Sequence, residues 1–175
     1  MNIGTNSGAV TLTKVQVSKG IKVDDQFGDI DLDQANGASY DLHTNSGSIT
    51  VDGAKGKLTA HTEFGNIEIK NAVAVTVDIS TNSGTVEFTG SLGAGPHNVK
   101  SEFGQIDITI PADTKLNVDL STDFGKIKSD LPITVTLTET STDNGDQIAG
   151  SINGGGDLLT METNSGGVNI HTASK

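Results

Sequence analysis

His43 and His61 each stand four residues before a glycine of one recurring motif. If copies of that motif stack as neighbouring strands, which lie about 4.8 Å apart, the two imidazoles meet on an outward face. With Glu63 beside them they could hold a transition metal weakly. A firm zinc site wants three or four protein ligands, so solvated surface histidines are the plainer reading. His97, after Pro96, and His171, near the end of the chain, read as loop and surface residues. A second candidate is acidic. Three residues past the motif glycines stand Thr11, Asp31, Thr50, Glu68, Glu87, Asp107, Lys128 and Asn169. Glu68, Glu87 and Asp107 would form a column of like charges, which is destabilising where the charges oppose each other directly. Calcium, with its preference for oxygen ligands, could bridge them. Alternatively, such rows keep a sheet soluble and its edges apart. No cofactor or resident metal is expected, weakly bound calcium being the one exception the pattern leaves open, and no residue stands out as catalytic.

Enzyme chemistry finds little else to work with. Serines are plentiful, but no Gly-x-Ser-x-Gly elbow occurs and no His is spaced for a triad. Gly154-Gly155-Gly156 lacks the Gly-Lys-Ser/Thr that a phosphate loop needs. A polysaccharide-acting β-helix enzyme remains a minor alternative. Such an enzyme needs clustered acids in a cleft and often a basic residue, whereas here the turns are short and Arg is absent.

Composition narrows the field further. The net charge is −11, and all eleven cationic residues are lysine. Nucleic-acid binding needs a basic footprint, usually with bidentate arginines, so that partner is excluded. No apolar run reaches the 18 residues of a membrane span, so direct membrane insertion is not expected. The start of the chain lacks a signal peptide's basic and apolar regions, and any targeting or anchoring segment is expected to lie outside it. Zero Cys excludes disulfides and leaves the compartment open. Only 3% of residues are aromatic, while 22 are glycine. A thick core of large side chains is therefore excluded, and frequent turning is expected.

The elements that must position these groups are read from the repeat itself. Thr-Asn-Ser-Gly, or an acidic-Phe-Gly variant, is followed by x-Ile/Val-x-aliphatic. The motif glycines are Gly8, Gly28, Gly47, Gly65, Gly84, Gly104, Gly125 and Gly166, so successive differences are 20, 19, 18, 19, 20, 21 and 41. The last interval equals two turns with one motif degraded. Two past each glycine stand Val10, Ile30, Ile49, Ile67, Val86, Ile106, Ile127 and Val168, and four past it the residue is again apolar except at Ser129. Five before it the residue is apolar too. Period-two alternation marks strands with one buried face, and the parity slip at the glycine marks a corner. The residue before the glycine runs Ser7, Phe27, Ser46, Phe64, Ser83, Phe103, Phe124 and Ser165. By the same parity it faces inward, each ring filling space left by a neighbouring Ser. Phe64→Ala would then cost roughly 3–5 kcal/mol through cavity formation.

The expected fold is all-β: one parallel β-helix, or β-solenoid, of about nine turns with a repeat of roughly 19 residues. Residues 1–130 hold the regular turns, 131–157 an irregular region, and 158–175 the final turn. Within the irregular region, Ile133–Leu137 and Gln147–Ile152 are expected to pair as an inserted β-hairpin with Asn144-Gly145 at its tip.

The repeated Thr-x-Ser-Gly-x-Ile and Thr-x-Phe-Gly-x-Ile units resemble those of a bacterial "adhesin" domain family of β-strand-repeat proteins. The approach Gly154-Gly155-Gly156 to the final Thr163-Asn164-Ser165-Gly166 is the most specific part, and the likeness spans essentially the whole chain. The resemblance implies a right-handed β-helix on a bacterial surface, with no catalytic residues to carry over. A non-enzymatic, cell-surface or secreted adhesin-like module is the leading expectation, with its surface or matrix partner unspecified. The alternative is a filament subunit that stacks end to end through uncapped termini. Ice binding would need a flat outward Thr array, which Glu68, Glu87 and Asp107 interrupt.

Overall fold

The computed structural model describes residues 1–141 and 145–173. Strands and turns account for all of them, with no helix. The first turns are built from β1 (Asn2–Gly4), β2 (Val10–Thr13), β3 (Ile21–Phe27), β4 (Ile30–Asp33), β5 (Ser39–Ser46) and β6 (Ile49–Asp52). The middle holds β7 (Lys55–Phe64), β8 (Ile67–Ser83), β9 (Val86–Leu92), β10 (His97–Phe103) and β11 (Ile106–Ile110). The last third adds β12 (Leu116–Phe124), β13 (Ile127–Ser129), β14 (Ile133–Ser141), β15 (Asp146–Ile152), β16 (Asp157–Ser165) and β17 (Val168–Thr172).

Each turn pairs in parallel with the next at nearly constant offset, Val23 beside Leu42, Leu42 beside Ala60, Ala60 beside Ile79 and Ile79 beside Val99. The inward residues at successive turns therefore form columns. Ile30, Ile49, Ile67, Val86 and Ile106 make one, and Leu32, Val51, Ile69, Phe88 and Ile108 another, all buried. Burying each such side chain contributes roughly 1.5–3 kcal/mol, but only because a neighbour above and below covers it. A single turn has no inside of its own. The solenoid architecture follows from this.

In strand order and core, two features depart from the sequence expectation. The first is the order of turns. β16 lies between β10 and β12, with Val99 and Leu120 both beside Met161, and β17 likewise lies between β11 and β13. The chain leaves a slot, builds the turn beyond it and returns to fill the slot last. Residues 157–172 are thus the last turn in sequence but the penultimate motif turn in space. Beyond β12 the 41-residue interval holds a hairpin in place of a further motif turn. β14 pairs with β15, and β15 pairs with β12, both antiparallel. That hairpin covers the outer edge of β12. Of its expected tip, Asn144 lies outside the described residues.

The second departure is His97, expected on a loop and found on β10 with only 1% exposure. It occupies an inward column with Tyr40, Leu58, Val77 and Leu159. Val77 N–H donates to its Nδ1 at 3.4 Å, and Nε2 faces the Gly93 carbonyl at 3.2 Å. Burial pushes its pKa below the usual histidine value, in keeping with a neutral ring that donates once and accepts once.

The corners explain why the motif has the residues it has. From the third turn on, the residue three before the motif glycine points inward, and its hydroxyl donates to the glycine carbonyl of the turn before it in the stack. These bonds are Thr44 to Gly28 at 3.1 Å, Thr62 to Gly47 at 3.0 Å, Thr81 to Gly65 at 3.1 Å and Ser101 to Gly84 at 3.0 Å. Thr163 reaches Gly104 at 3.0 Å and Thr122 reaches Gly166 at 2.9 Å, so the series passes through the interleaved turn without a break. Asp25 takes this place in the second turn. It is fully buried, its Oδ1 accepts the Gln26 N–H at 2.7 Å, and its Oδ2 has no partner.

Asp25→Thr supplies the missing donor toward Gly8 and relieves a buried unpartnered oxygen. It should raise the unfolding free energy by about 1–2 kcal/mol, and Thr62→Val should lower it by a similar amount. Urea denaturation of both variants checks this pair of opposite signs.

Candidate functional site

With the stack filled by aliphatic side chains, whatever the molecule does it does on its outside, where the repeat becomes columns of surface groups. The column four before the glycine runs, in spatial order, Asp24, His43, His61, Ser80, Lys100, Glu162 and Ser121. His43 and His61 stack with ring centroids 5.2 Å apart and planes 4° from parallel. Asp24 approaches His43 at 3.5 Å, while Lys100 and Glu162 pair at 2.8 Å. His61 has its pKa lowered, first by partial burial and then by the charge of His43. Its Nδ1 lies 2.7 Å from Ser80 Oγ. That is the distance of a nucleophile–base pair, but no carboxylate lies within hydrogen-bonding distance of the other ring nitrogen among the described residues. The pair is a rung of a polar ladder.

The acidic column three past the glycines also takes its spatial order from the interleaving. Glu68 lies beside Glu87 and Glu87 beside Asp107, but the next neighbour is Asn169 and then Lys128. Glu68 pairs with Lys70 at 2.7 Å. Asp107 accepts from Asn169 at 2.9 Å and from Gln105 at 2.7 Å, and it meets His171 at 3.3 Å. His171 in turn reaches Asp130 at 3.4 Å, so this cluster ties the interleaved turn to the turns on both sides of it. Among the described residues no group of three or more His, Asp or Glu is placed to hold a metal ion.

The eight motif glycines stand in one column along a corner of the solenoid. A Cβ on Gly65 would come within 2.1 Å of the Gly47 carbonyl oxygen, and one on Gly104 within 1.9 Å of that of Gly84. Here the residue type is forced by contact between turns. The rings beside them overturn the packing expected from parity. Phe27, Phe64, Phe103 and Phe124 are 57, 59, 55 and 58% exposed, and they belong to the surface. Parity fails one step earlier than the glycine. The side chain three before it turns in to reach a carbonyl, and the next two residues then span the corner on its outer side.

These outward residues form a two-row edge. In spatial order the first row reads Ser7, Phe27, Ser46, Phe64, Ser83, Phe103, Ser165 and Phe124, with registers placing Ser46 between Phe27 and Phe64 and Ser165 between Phe103 and Phe124. The alternation that breaks in sequence at Phe103 and Phe124 is complete in space. The second row, one residue earlier, reads Asn6, Gln26, Asn45, Glu63, Asn82, Glu102, Asn164 and Asp123. Asn accompanies every Ser, and an acid or Gln accompanies every Phe. None of these second-row side chains forms a hydrogen bond or ion pair within the described residues. Sequence reasoning could have found the edge by asking why four aromatics each follow Glu, Asp or Gln.

Because the rings are exposed, Phe64→Ser should leave the unfolding free energy of the dilute protein within about 0.5 kcal/mol. A loss of several kcal/mol in thermal or urea unfolding would return that ring to the interior.

No curated protein and no solved structure matches the chain. A family model described as Toastrack DUF4097 matches residues 1–171. That family is of β-solenoid type, in keeping with the all-β, largely parallel stack, and its model carries no adhesin assignment. The chain belongs to the Toastrack DUF4097 family.

Proposed function

We propose that the chain is a non-enzymatic structural and interaction module, an adhesin-like rod working at the cell surface or in secreted form. The observation that carries this reading is the two-row edge of Phe, Ser, Asn and acid. It repeats one contact chemistry along the stack, where an enzyme would gather unlike groups at one place. A ladder of this kind suits contacts that are individually weak and collectively strong, on a scaffold whose parallel ladders resist bending. The net charge of −11 favours solubility and disfavours anionic partners such as nucleic acid. Filament growth through the ends finds less support, because the antiparallel hairpin covers β12 at one end of the stack.

Two experiments bear on this. Antibody raised to the folded rod should label intact producing cells or their medium, and labelling that appears only after permeabilisation contradicts the location. An activated phosphonate reagent should leave Ser80 unmodified, despite its 2.7 Å contact with His61. Stoichiometric labelling of Ser80, lost in His61→Gln, would make the ladder a catalytic dyad and overturn the non-enzymatic reading.

A further inference from the structure

We propose that the partner of the Phe/Ser edge, on the interaction reading given above, is a second copy of this chain, which closes a two-fold dimer of antiparallel rods like a zipper. The argument starts from spacing. Successive Phe residues are two turns apart, hence about 9.6 Å at the ordinary strand separation. A ring inserted over the intervening Ser would lie about 4.8 Å from the ring on either side, inside the 4.5–7 Å range of favourable aromatic pairs. The gap is therefore one ring wide, and serine is small enough to leave it open.

The order of the rows then selects the partner. A two-fold axis lying across the edge, midway between the Phe64 and Ser83 turns, reverses one rod against the other. It sets Phe64 against Ser83, Phe103 against Ser46, Phe27 against Ser165 and Phe124 against Ser7, so every ring meets a gap. The same operation pairs the second row with itself. Glu63 meets Asn82, Glu102 meets Asn45, Asp123 meets Asn6 and Gln26 meets Asn164. Each carboxylate, which can only accept hydrogen bonds, faces an amide that can donate, and no two acids are opposed. A two-fold interface must be self-complementary in this sense, and both rows satisfy it with one axis. Parallel rods would set each turn against its own copy, so that rings would meet rings or the acids beside them and never the serine gaps.

The area is of the right order. Four rings a little over half exposed offer roughly 450 Å² per copy, so about 900 Å² for the pair. Adding the flanking Ser, Asn and acidic residues brings the total past the 1,000 Å² or so that a specific interface needs. Because each copy carries a charge of −11, association should strengthen as salt screens the repulsion, the opposite of a dimer held by ion pairs. The contact closes on itself and leaves no second edge of the same kind, so it ends at two copies.

Sedimentation equilibrium of the whole chain tests this. The expected result is a reversible dimer that tightens with ionic strength. Phe64→Ser with Phe103→Ser should weaken it by at least roughly tenfold, with the unfolding midpoint of the dilute monomer unchanged. Ser83→Phe is the discriminating variant. It enlarges the apolar surface but fills the slot for the partner's ring, so a zipper comes apart whereas unspecific stickiness increases. A wild-type chain that stays monomeric, a dimer indifferent to the double substitution, or one strengthened by Ser83→Phe each overturns the proposal. So would a monomer whose rings instead hold immobilised polysaccharide, an outcome that leaves the surface reading of the rod intact.

Discussion

Everything in this molecule depends on how closely one turn can lie on the next at the glycine corner. There the backbone of one turn passes so near its neighbour that a Cβ on Gly104 would sit 1.9 Å from the Gly84 carbonyl oxygen. A hydroxyl three residues earlier then reaches that same class of carbonyl from within. Small residue and inward hydroxyl are one device. Close approach lets the strands on both sides of the corner hydrogen-bond in register, and the hydroxyl satisfies an oxygen that the corner would otherwise turn away from any donor. Once that is in place, the aliphatic columns follow, because each inward side chain finds another directly above and below.

The same device decides what faces out. Drawing the hydroxyl residue inward leaves the two residues after it on the outer side of the corner, where size is unconstrained. Large rings and charged groups can therefore collect on an edge of a protein that is poor in aromatics, and a period of two turns can be imposed on the surface with no effect on the core. The interior repeats at every turn, while the edge repeats at every second turn. That difference is informative about function, since packing alone gives no reason for the longer period. Interleaving the last turn between β10 and β12 preserves this order through Ser165, which stands between Phe103 and Phe124.

Much of this was legible in the sequence, for a physical reason. Strand alternation and the glycine corner are local, so Val10, Ile30, Ile49 and their counterparts announce the buried face, and the spacing of His43 and His61 announces their stacking. Three things were hidden. Parity counting assumes an unbroken strand, and it sent Phe27, Phe64, Phe103 and Phe124 inward because it did not see the bend begin two residues before the glycine. Stack order depends on pairing between distant segments, and chain order is no guide to it. The one trace was the Ser/Phe alternation failing at Phe124, which Ser165 repairs. The far corner of the turn carries no glycine signature at all in several turns. Lys14, Gln34 and Asn71 adopt left-handed backbone there, with φ of 54°, 51° and 50°, a conformation that Asn tolerates and that the neighbouring turns hold against the preference of Lys and Gln. Conversely, His97 looked like a loop residue because it follows Pro96, and only the column it joins shows it to be part of the core.

Order within the stack is the claim on which both the edge and its pairing rest, and the absence of native cysteine makes it directly measurable. Lys100 and Ser121 each lie beside Glu162 and flank it on opposite sides. Cysteines in adjacent turns stand within the Cα separation a disulfide spans, about 4.4–6.8 Å, while those two turns apart, at about 9.6 Å, do not. Under mild oxidation the double variant Lys100→Cys, Glu162→Cys should cross-link within one chain, and Lys100→Cys, Ser121→Cys should not. Efficient cross-linking of the second pair and none of the first would mean that the turns stack in chain order, and the alternating edge would not exist.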